Sequence, residues 1–85
     1  MIKIHYRLDK NVAARAASIL NWDLNSIVSP VHIINTEGRM INGKSLIGLL
    51  SGNLKAGDRI EIVLEKEEDL SRLRFSFNKV GKEIS

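Results

Sequence analysis

The chain has no cysteine, which excludes disulfides and thiolate metal sites alike. It has a single tryptophan and no stacking motif, which argues against direct nucleic-acid binding. No stretch approaches the ~20 apolar residues of a membrane span, and no N-terminal apolar run precedes a cleavage site. Neither G-x-x-x-x-G-K-S/T nor G-x-G-x-x-G occurs, so no nucleotide-phosphate loop is indicated. Gly43-Lys44-Ser45 ends like the first pattern but lacks its earlier glycine. His5 and His32 have no acid, nucleophile or further ligand at a spacing that builds a site. No catalytic residue, metal or cofactor is therefore expected. Repeats, linkers and low-complexity segments are also missing.

What remains is a chain of 85 residues, 44% of them apolar. That length and composition fit one domain over residues 1–85, able to fold without a partner. The net charge of +3 is unevenly placed. Residues 1–59 hold eight Lys/Arg against four Asp/Glu, whereas residues 60–85 hold five against six. A mildly basic first part favours an anionic ligand or an acidic protein surface. It is not the dense basic stripe of a nucleic-acid binder. A soluble, cytoplasmic protein without membrane attachment is the expectation.

Two stretches alternate cleanly between apolar and polar residues. In IKIHYRL the residues Ile2, Ile4, Tyr6 and Leu8 share one side; in RIEIVLE it is Ile60, Ile62 and Leu64. Both read as half-buried strands. Between Val12 and Leu24 the apolar residues Ala13, Ala16, Ala17, Leu20 and Leu24 fall at helical intervals, with Asn11 as the expected cap. Trp22 reads as partly buried packing at the edge of that stripe. Residues 31–36 read as a strand of open register, so the His32 side chain is not assigned to a face. Glu37-Gly38 then turns into a short strand at 39–42. The acidic run at Glu65, Glu67, Glu68 and Asp69 suits a helix start. Leu70, Leu73, Phe77, Val80 and Ile84 continue at helical spacing, which predicts one last helix to the end of the chain.

The stretch GKSLIGLLSGNLKAGD, residues 43–58, stands out. Ser45 precedes the apolar run Leu46, Ile47, Leu49 and Leu50 and is a good N-cap. Gly52 falls where a left-handed C-terminal cap is expected. A helix of about two turns is too short to stand alone in water, and it has more aliphatic residues than one docking face needs.

The order strand, helix, strand, strand, helix, strand, helix predicts an α+β open sandwich, with helices on one face of a mostly antiparallel sheet. This order, together with the stretch around Ser45, resembles the HPr family, the phosphocarriers of the bacterial sugar phosphotransferase system. The resemblance covers nearly the whole chain and implies a four-stranded antiparallel sheet under three helices. It also implies that Ser45 is a regulatory phosphorylation site for a bifunctional HPr kinase/phosphorylase. Leu46, Ile47 and Leu50 would then dock on a transcriptional regulator, with Arg15 and Lys44 as charged neighbours of the interface.

The family's other motif, Gly-Leu-His-Ala-Arg-Pro-Ala, matches Asn11-Val12-Ala13-Ala14-Arg15-Ala16-Ala17. The phosphoryl-carrying histidine of the family falls on Ala13, whose methyl group has no nitrogen to accept phosphate. Arg15 survives beside a helix start, where it still attracts anions. The pattern is similar to the histidine-lacking regulators of the family, which keep the serine and act in carbon catabolite control. The reading is therefore a non-catalytic regulatory adaptor. The alternatives are a constitutive interaction module, a homodimer formed by exchange of the first strand, or a carrier using His5 or His32.

Overall fold

The structure, a computed structural model, describes residues 1–85. Alternation produces β1 (Ile2–Leu8) and β4 (Arg59–Leu64), which pair antiparallel with Ile4 opposite Ile62 and Tyr6 opposite Ile60. β2 (Val31–Ile34) pairs with β4 and with β3 (Met40–Asn42). Val31 and Ile33 point into the core, which resolves the open register and leaves His32 half-buried on the outer face. The three helices are α1 (Ala14–Leu24), α2 (Leu46–Ser51) and α3 (Leu70–Phe77), the last entered through a 3-10 turn at Glu67–Asp69.

The sheet has five strands, not the four expected, in the order β3-β2-β4-β1 followed by a strand at Gly81–Ile84. The additional strand, β5 (Gly81–Ile84), pairs antiparallel with β1 and replaces the end of the expected last helix. Helical spacing misleads here because Phe77 and Val80 do face the core. The helix ends at Phe77, with Asn78 as its C-cap. Gly81 then passes so close to the backbone of Arg7 that a Cβ would collide with its carbonyl oxygen. Bare backbone at Gly81 lets β5 dock on the sheet edge.

Nineteen buried apolar residues form one core between the helices and the inner face of the sheet. Tyr6 lies in it, its ring 5.6 Å from that of Phe77 and its hydroxyl donating to Asn78 Oδ1 at 2.7 Å. Asn35 is buried but satisfied. Its Oδ1 accepts from the amides of Glu37 and Arg39, and its Nδ2 donates to the Gly52 carbonyl at 3.0 Å. One side chain thus ties the β2–β3 turn to the end of α2, and fully bonded polar groups of this kind keep burial inexpensive.

Three smaller expectations are corrected. Asn11 does not cap α1: its Oδ1 accepts from the Ala56 amide, and the N-cap is Ala13, which has no capping side chain. Gly52 is right-handed, and the left-handed residue after α2 is Asn53, with φ of 56°. Trp22 is 81% exposed rather than partly buried. It lies two residues, ~200° of helix, beyond the buried Leu20 and so points straight away from the core.

Candidate functional site at the start of the second helix

Ser45 does cap α2. Its extended backbone leaves the helix, and its Oγ accepts from the Gly48 amide at 3.0 Å. The side chain is half-buried at the rim of the protein rather than enclosed. Past it, α2 buries only Leu49. Ile47 is 78% exposed, Leu50 50% and Leu46 39%. One leucine holds the helix down while three aliphatic side chains face outward. The serine and the surface beside it are thus combined by a single two-turn element, whose backbone is fixed from below by Asn35.

The charged neighbours are arranged differently from their order in sequence. The Lys44 ammonium donates to the carbonyls of Ile27 and Val28, the latter at 3.1 Å, and so closes the loop after α1. Asn25, at the C-cap of α1, donates to the Lys44 carbonyl at 3.3 Å. The start of α2 therefore sits against the end of α1. Arg15 is the second residue of α1, roughly 15 Å away along an eleven-residue helix. Arg39 reaches the Ser51 carbonyl at 3.4 Å, at the opposite end of α2. Neither arginine is brought to Ser45.

Arg15 belongs to a second locality, where the start of α1 meets the end of α2. A shallow depression of about 170 Å³ is lined there by residues that include Asn11, Ala13, Leu50, Asn53 and Lys55. Its floor has no imidazole: Ala13 presents a methyl group, and Ala14 takes the left-handed φ of 48° that sharpens the turn into the helix. Of the first amides of α1, that of Ala16 is bonded to the Ala13 carbonyl at 3.1 Å, and Arg15 does not line the depression. His5 lies on the outer face of the sheet, donating from Nε2 to Glu61 at 3.0 Å. His32 is on the same outer face, in β2. No three His, Asp or Glu residues come close enough together to hold a metal ion.

Sequence reasoning places Trp22 at the edge of the buried stripe, although it is exposed, and gives Asn25 no role. The angular position of Trp22 on α1, opposite Leu20, was the available signal. Asn25 gave none, because its partner is a backbone carbonyl brought near by folding.

Residues 2–73 match the family model described as the PTS HPr component phosphorylation site. The chain is 27% identical over 71 residues to the HPr-like protein Crh of Bacillus subtilis (strain 168), covering 84% of this chain and 82% of that protein. The crystal structure of phosphocarrier protein HPr from Bacillus anthracis str. Ames superposes with a TM-score of 0.82 at 21% identity, over 93% of this chain and 95% of the other. The crystal structure of Bacillus subtilis Crh, described as a swapped, intertwined dimer, matches with a TM-score of 0.65 at 24% identity, over 87% and 88% of the two chains. With the family pattern running through 2–73 and the fold shared along nearly its whole length, the chain belongs to the HPr family of the phosphotransferase system and is similar within it to Crh.

Proposed function

We propose that this protein is a non-catalytic, single-domain regulatory adaptor, switched by phosphorylation of Ser45 and docking a protein partner in carbon catabolite control. The observation that carries the reading is the coexistence of Ala13 at the carrier position with a half-buried Ser45 at the rim beside Leu46, Ile47 and Leu50. In the modifying step the Ser45 Oγ would attack the γ-phosphorus of ATP. ADP would leave, and the hydroxyl proton would pass to a base of the kinase.

The phosphate would add roughly −1.5 to −2 charges at pH 7. Lys44 is held by two carbonyls, Arg15 lies at the start of α1, and Arg39, in the β2–β3 turn, reaches the opposite end of α2. The added charge would therefore find no free cation within this chain and would stand available to an arginine or lysine of the partner. In this reading Leu46, Ile47 and Leu50 supply the anchoring area and the phosphate supplies the selection. Lys44 acts by fixing the loop, and Arg15, at the start of α1, marks the far edge of the interface.

The test is incubation with an HPr kinase/phosphorylase and ATP, followed by intact mass and peptide mapping. One phosphate on Ser45 is expected, and an unmodified chain would remove the switch. Enzyme I with phosphoenolpyruvate is expected to leave the protein unlabelled.

A second reading is favoured by the position of β1. It lies between β4 and β5, and is followed by Asp9-Lys10-Asn11 with no proline or glycine to fix the turn. Exchange of this strand between two copies would give a homodimer. Size-exclusion chromatography with light scattering at several concentrations separates the two states.

A further inference from the structure

The outer face of the sheet has no layer over it, and its register assembles a feature that sequence spacing hides. Arg59 of β4 stands opposite Arg7 of β1, and Arg7 stands opposite Lys82 of β5. Three cations therefore line up across three neighbouring strands. All three are exposed, and none takes part in any of the molecule's ion pairs. Three of the nearby carboxylates are committed elsewhere, and the fourth, Asp9, lies beyond the end of β1, exposed and bonded to none of the three cations. Glu61, in the next row, accepts from His5. Glu83 is opposite Tyr6, hence on the other face, and is bound twice by Arg74. Asp58 accepts from the Lys55 amide. With Lys3, this face carries four Lys/Arg against Glu61 alone.

Like charges placed directly opposite one another on adjacent strands destabilise a sheet. Nothing in the fold requires them at solvent-facing positions. A local choice that works against stability without internal compensation points to a ligand.

Spacing decides which ligand. Neighbouring strands lie ~4.8 Å apart, so the row spans roughly 10 Å. An α-helix rises ~5.4 Å per turn, and residues at i, i+4 and i+7 share a face. Three carboxylates on such a face cover about the same length as the three cations. A single nucleic-acid strand fits less well, because this face has no aromatic platform: Tyr6 is buried and Trp22 and Phe75 lie on helices. A bilayer also fits less well, because Ile34, Val63 and Ile84 on this face are half-buried and the exposed Met40 stands on β3, at the edge of the sheet away from the row. We propose that the Arg59–Arg7–Lys82 row binds an acidic helical segment of another protein, laid across the strands on the face opposite Ser45. This does not rest on the phosphorylation reading, since the two surfaces belong to opposite layers.

The experiment uses the full chain and a labelled synthetic helical peptide with glutamates at i, i+4 and i+7 on one face, read by fluorescence anisotropy at low salt. A peptide of the same composition with its glutamates scattered around the helix is the control, with an oligo-dT strand and phosphatidylserine vesicles as further arms. The patterned peptide is expected to bind about tenfold more tightly than the scattered one and to weaken as salt is added. The double substitution R7Q/R59Q is expected to abolish that preference while melting no lower than the parent at low salt. Equal binding of the two peptides, an unchanged preference in R7Q/R59Q, or tighter binding to oligo-dT or vesicles would overturn the proposal.

Discussion

Lys44 donates its ammonium to the Val28 carbonyl oxygen, 3.1 Å away, and that bond removes the cation nearest in sequence from Ser45. The serine keeps only backbone partners, above all the Gly48 amide. The start of α2 is held in place by charge spent on the loop behind it, and its surface is left aliphatic with one hydroxyl. Such an arrangement gives a phosphate a rigid seat but no internal partner.

The cap itself is the first thing to test. Ser45→Ala removes the acceptor for the Gly48 amide, and N-cap losses cost about 1 kcal/mol. Ser45→Asp keeps an acceptor at the same place. Urea denaturation should show the alanine variant less stable by about 1 kcal/mol and the aspartate variant close to the parent. Equal loss in both would mean that the cap contributes nothing.

Trp22 provides an optical probe of the helical layer. Because it is the only tryptophan and mostly exposed, its emission should resemble that of free tryptophan and be readily quenched by acrylamide. Leu20→Ala, two residues back but buried, should cost about 2–5 kcal/mol in stability. Trp22→Ala should fall within about 0.5 kcal/mol of the parent. A shielded, blue-shifted emission would contradict the exposed position.

Tyr6 governs the alkaline limit. Burial raises its phenol above the ordinary value and the charge of Glu83 adds to this, while Arg74 offsets part of it. The folded phenol therefore ionises at higher pH than the unfolded one, which titrates near about 10. The stability linked to this group is complete below that pH and falls as pH rises through the folded value. As the only tyrosine, it can be followed by its phenolate absorbance alone. The midpoint is expected above that of free tyrosine, and Tyr6→Phe should flatten the alkaline fall in melting temperature. A midpoint at the free value would contradict it.

Ala14 sits at a φ of 48°, a region that disfavours a side chain by ~1–2 kcal/mol. Ala14→Gly relieves that strain but frees the unfolded chain. The net result should lie between no change and a gain of about 1 kcal/mol. Ala17→Gly, buried inside the same helix, should instead lose about 1 kcal/mol. A clear loss at position 14 would show that the turn into α1 is not strained.

Much of this was readable before folding, for definite reasons. β1 and β4 are buried on one face only, so period-two alternation marks them. Ser45 acts on an amide three residues ahead, and so local a contact is visible in sequence. β5 was hidden because Val80 and Ile84 fit helical spacing from Phe77 equally well, and only docking against Arg7 selects a strand. Trp22 reads as the edge of the apolar stripe, but its place two residues after the buried Leu20 turns it to solvent. The fates of Lys44 and Asn25, and the row of Arg59, Arg7 and Lys82, depend on contacts between residues distant in the chain, which periodicity does not encode.

The switch is tested most directly by titrating a catabolite-control transcriptional regulator from the same organism with this protein, unmodified and phosphorylated at Ser45, following Trp22 emission and calorimetric heat. The phosphorylated form is expected to bind at least about tenfold more tightly, as one or two charge-assisted contacts would supply, and Ile47→Asp should abolish the difference. Equal affinity of the two forms, or binding indifferent to Ile47, would contradict the account.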